Sequence, residues 1–192
     1  MSYLKKIEYE IAVNESFSVI RSCARCGRKT HFKNTKKFRV NANGNRLDIW
    51  LIYQCEKCKH TLNLAIYERE RISSIAKEEY ICFLNNDEQL AEIYGKNIQL
   101  FRKNKADIDF ERVNYEYVKL CETEEKSDDL KEKIILKIHN SFELKIRPEK
   151  QIAEVLGLSR NQVKKMVQQK DIQLENVSPR FISAYVDNYI FD

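Results

Sequence analysis

The chain contains very little of the two residues that most often interrupt regular structure, with four glycines and two prolines among 192 residues. Long disordered segments are usually rich in such residues, so their scarcity argues against a long disordered region. No apolar run approaches the roughly 20 residues that a membrane helix needs. The first residues also lack the apolar segment of a signal peptide. We therefore expect a cytoplasmic protein without membrane association, with enough chain for one or two domains.

The sequence also lacks the local patterns that are typical of common enzymes. It has no glycine-rich phosphate loop, no His-x-x-x-His metal pair and no nucleophile elbow. There are three histidines, at His31, His60 and His139. We predict that the protein is not an enzyme, and no small-molecule substrate is indicated.

Four of the six cysteines form two Cys-x-x-Cys pairs, Cys23/Cys26 and Cys55/Cys58. This spacing is typical of a structural Zn²⁺ held by four thiolates, and it predicts one such ion in a zinc ribbon. A complete four-cysteine site leaves no open position for water or substrate, so the metal is expected to have no catalytic role. Disulfides or a redox pair are the alternatives. His31 and His60 lie near the pairs and could replace a ligand, although the four cysteines suffice.

The two remaining cysteines, Cys82 and Cys121, stand alone in apolar contexts. Free cysteine is among the most buried residue types. We expect both to be buried free thiols.

Charge is distributed unevenly around a net value of +5. Residues 1–72 hold 15 basic and 7 acidic residues, residues 73–144 hold 11 and 16, and residues 145–192 hold 8 and 6. Two basic ends around an acidic middle suggest a polyanionic partner. The alternative is that the basic residues near the cysteines, such as Arg25, Arg28 and Lys29, only balance the negative charge of a zinc–thiolate centre.

Between the cysteine pairs, Asn43-Gly44 is a strong signal for a β-hairpin with a type I′ turn. Such a turn would set Val40 opposite Leu47, and Lys37 opposite Trp50, where a cation–π contact can form. The hairpin would bring the two cysteine pairs together.

Beyond the hairpin, residues 73–125 have mainly helical patterns, including a helical stripe over Asp109–Leu120. The acidic segment Glu122–Asp129 is our candidate linker. We predict an α+β protein with three parts: a β-rich zinc ribbon over residues 1–72, a helical connector over 73–130, and a small C-terminal domain over 131–192.

The C-terminal part contains signals for two helices joined by a tight turn. Pro148 favours the start of the first helix, Gly157 favours its end, and Ser159 with Gln162 forms a capping box for the second. The second helix would expose a basic face, which is typical of nucleic-acid binding. A DNA-binding helix-turn-helix has this arrangement, and so does an ordinary helical hairpin with a solvated face.

The same segment resembles the S4 RNA-binding domain, through Arg147, Leu158-Ser159-Arg160, a basic helix over Val163–Gln169 and a strand over Ile172–Leu174. That resemblance implies an S4-like C-terminal domain, a helix-turn-helix with strands, that binds structured RNA.

A wider resemblance rests on the knuckle Arg21–Gly27, on Phe38–Cys58 and on Gly157–Arg160. These stretches are similar to an uncharacterised bacterial family, domain of unknown function 1062. That similarity implies a cytosolic bacterial protein with a zinc ribbon, and it brings no activity or catalytic residues.

Our leading hypothesis is a non-enzymatic protein that binds structured RNA, for example in association with the ribosome. Its phosphate contacts would be Arg147, Arg160, Lys164, Lys165 and Lys170, with Arg25, Arg28 and Lys29 on the ribbon as a second group. The alternatives are a DNA-binding transcriptional regulator and a protein-interaction adaptor. The sequence leaves the nucleic-acid target and the oligomeric state open.

Overall fold

The computed structural model describes residues 2–127 and 133–187, which are folded mainly into β-strands. The strands form two five-stranded sheets, and the chain divides into two compact units. The central unit is Val13–Asn114, and the terminal unit joins Met1–Ala12 to Tyr115–Asp192. These units do not follow the expected divisions at residues 72 and 130. The predicted fold class, with a helical middle and an S4-like end, is wrong.

The central unit is a sheet covered by short helices. Its strands are β2 (Val19–Cys23), β3 (Arg28–Asn43), β4 (Arg46–Cys55), β5 (Thr61–Arg71) and β6 (Asp107–Ile108), in the order β5-β4-β3-β2-β6. Its helices are α1 (Lys77–Asn85), α2 (Glu88–Gly95) and α3 (Ile98–Lys103), with 3₁₀ turns at Ile72–Ser74 and Phe110–Arg112. Burial alternates along β4, as expected for a strand with one face on a core. Phe83 of α1 packs edge-on against Phe38, and Phe101 of α3 packs edge-on against Tyr53, so the helices cover that face.

The β3–β4 hairpin forms as predicted, but its register differs by two residues. Val40 pairs with Ile49 rather than Leu47, and Arg39 rather than Lys37 lies opposite Trp50. The turn residues are Gly44 and Asn45, and of these only Gly44 has a positive φ, of 61°. One positive φ at the first turn position suits a type II′ turn, whereas type I′ needs two. The predicted cation–π contact with Trp50 is therefore made by Arg39, whose guanidinium lies 5.9 Å from the ring centroid.

The terminal unit is a sheet that combines the first strand of the chain with the last ones. Its strands are β1 (Ser2–Val13), β7 (Tyr115–Ser127), β8 (Lys133–His139), β9 (Ile172–Ser178) and β10 (Phe181–Asp187), in the order β7-β1-β8-β10-β9. Its helices are α4 (Pro148–Leu156) and α5 (Arg160–Gln169). Strands β1 and β8 are parallel, with Ile7 beside Leu136. Both residues are buried, as are Ile152 of α4 and Val163 of α5.

The segment expected to be helical, residues 73–125, contains α1, α2 and α3 and is extended beyond them. The helix expected over Asp109–Leu120 is instead a 3₁₀ turn followed by β7, where Tyr115 and Tyr117 have ring centroids 5.9 Å apart. Tyr115, Tyr117 and Val118 are aromatic or β-branched residues, which favour an extended chain. Strand β7 also includes the expected linker as far as Ser127, and Asp128 and Asp129 lie outside the described residues.

The helix pair of the C-terminal part is confirmed in its local detail. Pro148 begins α4, Gly157 ends it with a φ of 67°, and both hydrogen bonds of the Ser159–Gln162 capping box are present. The two helices belong to a unit whose five-stranded sheet includes the N-terminal strand β1. This unit is not the expected S4-like domain. Within the described ranges, no helix is long and apolar enough to cross a membrane.

Candidate metal centre and basic helix surface

The first cysteine knuckle is a tight turn at the end of β2. Strand β2 ends at Cys23, and the backbone N–H of Gly27 donates to the Cys23 carbonyl at 2.9 Å. Gly27 has a φ of 66°, which a residue without a β-carbon adopts at no steric cost. The turn leads directly into β3, where Arg28 pairs with Cys23.

The second knuckle follows the same path without a glycine. Strand β4 ends at Cys55, and the backbone N–H of Lys59 donates to the Cys55 carbonyl at 3.0 Å. Lys59 has a φ of 61°, so a residue with a side chain occupies the position that Gly27 has in the first knuckle. Left-handed backbone is costly for such a residue. Gly27 and Lys59 each directly follow the second cysteine of a Cys-x-x-Cys pair. This shared position is the feature of the sequence that could have predicted the left-handed backbone of Lys59.

The hairpin between the knuckles brings the four cysteines together. Sγ of Cys23 lies 3.5 Å from Sγ of Cys58, and Sγ of Cys26 lies 3.8 Å from Sγ of Cys55. All four sulfur atoms lie within 4.8 Å of one another, and together they can hold a metal ion. These separations are well beyond a disulfide bond, and all four residues are free cysteines. The predicted cysteine cluster (Cys23, Cys26, Cys55 and Cys58) is confirmed as a candidate metal centre.

The electrostatics of the cysteine cluster favour a bound cation. Burial tends to raise the pKa of the Cys55 thiol, but hydrogen bonds from the backbone N–H groups of Cys58 and Lys57 outweigh it and lower the pKa to about 6. The hydrogen bond with Cys58, followed by burial, raises the pKa of Cys26 to about 12. Four close thiols cannot all ionise together unless a positive charge replaces their protons. Sequence reasoning missed Thr30, a buried residue whose hydroxyl lies 3.9 Å from the Cys55 sulfur.

The nearby histidines do not belong to the cysteine cluster. Nε2 of His31 lies 3.1 Å from the buried carboxylate of Asp109, which gives this ring a different partner. His60 is exposed, and its backbone carbonyl accepts a hydrogen bond from the Cys55 N–H at 2.8 Å. His139 lies in the terminal unit, with Nε2 3.5 Å from the Glu8 carboxylate.

The remaining cysteines are less buried than expected. Cys121 is exposed and Cys82 is partly buried. Neither belongs to the cysteine cluster, which makes both useful as controls for substitutions within it.

Among the described residues, some basic side chains of the ribbon form no ion pair, whereas others are paired with acidic side chains. Arg28 and Lys29 are exposed and form no ion pair within the described residues. Arg25 is also exposed and donates weakly, at 3.5 Å, to the backbone carbonyl of Cys58. In contrast, Lys33 pairs with Glu56 at 3.1 Å. Lys36 likewise pairs with acidic residues of α2, so neither lysine is free to meet a partner.

Helix α5 carries the other predicted basic group. We define the α5 basic surface as Arg160, Lys164, Lys165 and Lys170. All four side chains are exposed, and in the described part of the chain none of them forms an ion pair. Residues 160–170 include no acidic residue, while Val163 anchors the opposite side of the helix in the core. Arg147 is also exposed and occupies the N-cap position of α4.

Comparison with known proteins identifies a family. Residues 40–178 match the model of a family described as "Protein of unknown function (DUF1062)". The chain belongs to this family. The DUF1062 match includes Cys55, Cys58, the α4–α5 pair and β9, and it begins after Cys23 and Cys26. No curated protein and no solved structure matches the chain, and the description of the DUF1062 family names no activity.

Proposed function

We propose that this protein binds RNA through the α5 basic surface, with one Zn²⁺ in the cysteine cluster as a structural element. The observation that carries the proposal is the group of four exposed basic side chains on and just after α5, which form no ion pair with any other described residue. Lys33 and Lys36 of the central unit are, in contrast, compensated by acidic neighbours. Uncompensated charge of one sign on a helix is what phosphate contacts require.

The chemistry of the cysteine cluster supports zinc over other common ions. Ca²⁺ and Mg²⁺ prefer oxygen ligands, whereas four thiolates suit Zn²⁺. A tetrahedral ion with Zn–S bonds of about 2.3 Å would set the sulfurs about 3.8 Å apart, close to the observed 3.5 and 3.8 Å. A closed site of this kind supplies folding energy rather than catalysis, so we propose a non-enzymatic role. Free cysteines also suit the reducing cytoplasm, where we place the protein.

The number of cations in the α5 basic surface predicts how strongly salt should weaken RNA binding. If its four cations each neutralise one phosphate, log Kobs should fall with log[salt] with a slope of about −3 for single-stranded RNA. These contacts position RNA and carry little sequence information.

Duplex DNA is the second candidate, favoured by one observation at the start of α5. Arg160 and Asn161 are both exposed in the first turn of the helix. The first residues of a recognition helix contact base edges in the major groove, and these two residue types are suited to that role.

The test is a binding series with zinc-loaded protein and three fluorescent probes: an RNA hairpin, a single-stranded RNA and a DNA duplex. Each is titrated at several salt concentrations, with the wild type and with the double variant Lys164→Glu/Lys165→Glu. We expect RNA to bind most tightly, and the variant to lose at least about tenfold in affinity and about half of the salt slope, because it removes two of the four contacts.

A matched control is Lys77→Glu/Lys105→Glu, which makes the same charge change at two exposed lysines of the central unit. It should bind RNA nearly as the wild type does. Equal losses in both variants, or no RNA binding at low salt, would contradict the proposal. Preference for the DNA duplex would replace RNA with the second candidate.

A further inference from the structure

The terminal unit contains a cavity of about 350 Å³ between the start of α4, the loop after β8 and the β9–β10 turn. Both prolines of the chain, Pro148 and Pro179, line it, together with the aliphatic side chains of Ile146, Val177 and Ile182. Its volume is at the lower end of the range for small-molecule sites. A mainly apolar lining of this kind suits the ring of a small ligand.

The walls of the cavity are held in place by a buried asparagine. Asn140 is 2% exposed. Its Nδ2 donates to the carbonyls of Leu144 and Pro179, both at 2.9 Å, and its Oδ1 accepts from the Leu144 N–H at 3.0 Å. The Asn140 backbone N–H also donates to the Arg180 carbonyl at 2.7 Å. The loop and the turn are thus fixed before any ligand arrives, which lowers the cost of binding.

One residue that lines the cavity has a buried side-chain oxygen without a hydrogen-bond partner among the described residues. Gln151 of α4 lines the cavity and is 3% exposed. Its Nε2 donates to the Ile146 carbonyl at 2.9 Å, which fixes the orientation of the amide. Its Oε1 has no hydrogen-bond partner in the described residues. A buried acceptor without a donor typically costs about 1–3 kcal/mol, so a ligand that brings an N–H to it recovers that loss.

We propose that this cavity binds an unstacked nucleobase with an exocyclic amino group, which donates to Oε1 of Gln151. The inference rests on the proposed RNA-binding function and extends it to a base-recognition site. Sequence-selective RNA proteins usually recognise unstacked bases of single-stranded segments through their edges. The exposed guanidinium of Arg147, directly before Pro148, is available to the adjoining phosphate.

The chemistry of the cavity favours an amino group over the ring N–H of uracil. That ring N–H lies between two carbonyl oxygens, which would be brought against the carbonyl oxygens of Gln151 and Ile146. The Ile146 carbonyl is already an acceptor for Gln151, and the Leu144 carbonyl is one for Asn140. An exocyclic amino group extends beyond the ring edge and avoids this repulsion.

The test uses two single-stranded hexaribonucleotides that differ only in the amino group: one of adenosine and one of purine riboside, which lacks it. Both are titrated at one low salt concentration against the wild type, Gln151→Leu and a control, Gln89→Leu, at an exposed helix position in the central unit. We expect the wild type and the control to prefer the adenosine hexamer about tenfold. Gln151→Leu should bind both hexamers with equal affinity.

The outcomes separate the cavity from the proposed function. Salt-dependent binding of both hexamers with equal affinity by the wild type would overturn the base site and leave RNA binding by α5 intact. Binding of neither hexamer, together with failure on the RNA hairpin, would overturn both. The comparison of hexamers on the wild type needs no variant, so it decides the question even if Gln151→Leu folds poorly.

Discussion

Replacing Cys55 with serine should unfold the central unit, because this residue joins the cysteine cluster to the sheet. Cys55 is the last residue of β4, is fully buried, and pairs with Phe32 of β3. Removing one of four ligands weakens or abolishes metal binding. Structural Zn²⁺ typically contributes about 10–16 kcal/mol, whereas a domain is stable by about 5–15 kcal/mol. The metal contribution is therefore as large as the whole stability of a typical domain, and its loss should leave the unit largely unfolded.

The single tryptophan makes this loss directly measurable. Trp50 lies on β4, five residues before Cys55, so its fluorescence reports on the central unit. In Cys55→Ser we expect its emission to resemble that of the unfolded chain at 25 °C. We also expect the metal content, measured by mass spectrometry, to fall well below one ion per chain. Chelating the metal from the wild type should have the same effect.

The cysteines outside the cysteine cluster provide matched controls. Cys82→Ser and Cys121→Ser make the same chemical change, and both should keep one metal ion and a native Trp50 spectrum. A Cys55→Ser variant with native fluorescence and full metal content would refute the reasoning, and so would a metal-free wild type that stays folded.

Three further predictions concern the packing and charges of the two units. Gly95→Ala should destabilise the central unit by about 1–3 kcal/mol in urea denaturation. The added β-carbon would lie 2.6 Å from the Ser16 β-carbon and 2.7 Å from Nδ2 of Asn34, which is too close for either atom. A variant as stable as the wild type would contradict this reasoning. Ser159→Ala should cost the terminal unit about 1 kcal/mol by removing the α5 cap, with Ser73→Ala, outside any capping box, as the control. The Lys137 ammonium, which donates to Glu8 at 2.7 Å, holds the pKa of that carboxyl below its usual value. Glu8→Gln should therefore cost at most about 1 kcal/mol at pH 7. This difference from the wild type should shrink as the pH falls below the ordinary pKa of a glutamate, because protonation of Glu8 removes its interaction with Lys137. A difference that stays constant down to the onset of acid unfolding would contradict the reasoning.

The features that were predictable from sequence depend on residues that are close together in the chain. The two Cys-x-x-Cys pairs and the turn between them sufficed to predict the cysteine cluster. The α4–α5 pair was equally clear, because Gly157 and Ser159 determine the conformation of their own turn. Each of these signals is local and has one main structural solution.

The features that were missed depend on long-range pairing. Strand β1 pairs with β8, so that Ile7 lies beside Leu136, and no local signal links segments so far apart. That pairing joins the first strand of the chain to the last ones in the five-stranded sheet of the terminal unit. This sheet is the reason why the S4-like interpretation was wrong. The predicted register of the hairpin was wrong for a local reason, because Gly44 occupies the first rather than the second position of the turn. Gln151 was equally hidden, because an unsatisfied acceptor is defined by its surroundings and not by its neighbours in sequence.

The measurement that tests the proposed function most directly is the affinity of zinc-loaded wild-type protein for single-stranded RNA across a salt series. Four phosphate contacts at the α5 basic surface predict binding that weakens with salt at a slope of about −3, and a slope of about half that size in Lys164→Glu/Lys165→Glu, which removes two of the four contacts. Absence of RNA binding at low salt, or a slope that the double variant leaves unchanged, would contradict the assignment of RNA binding to this helix.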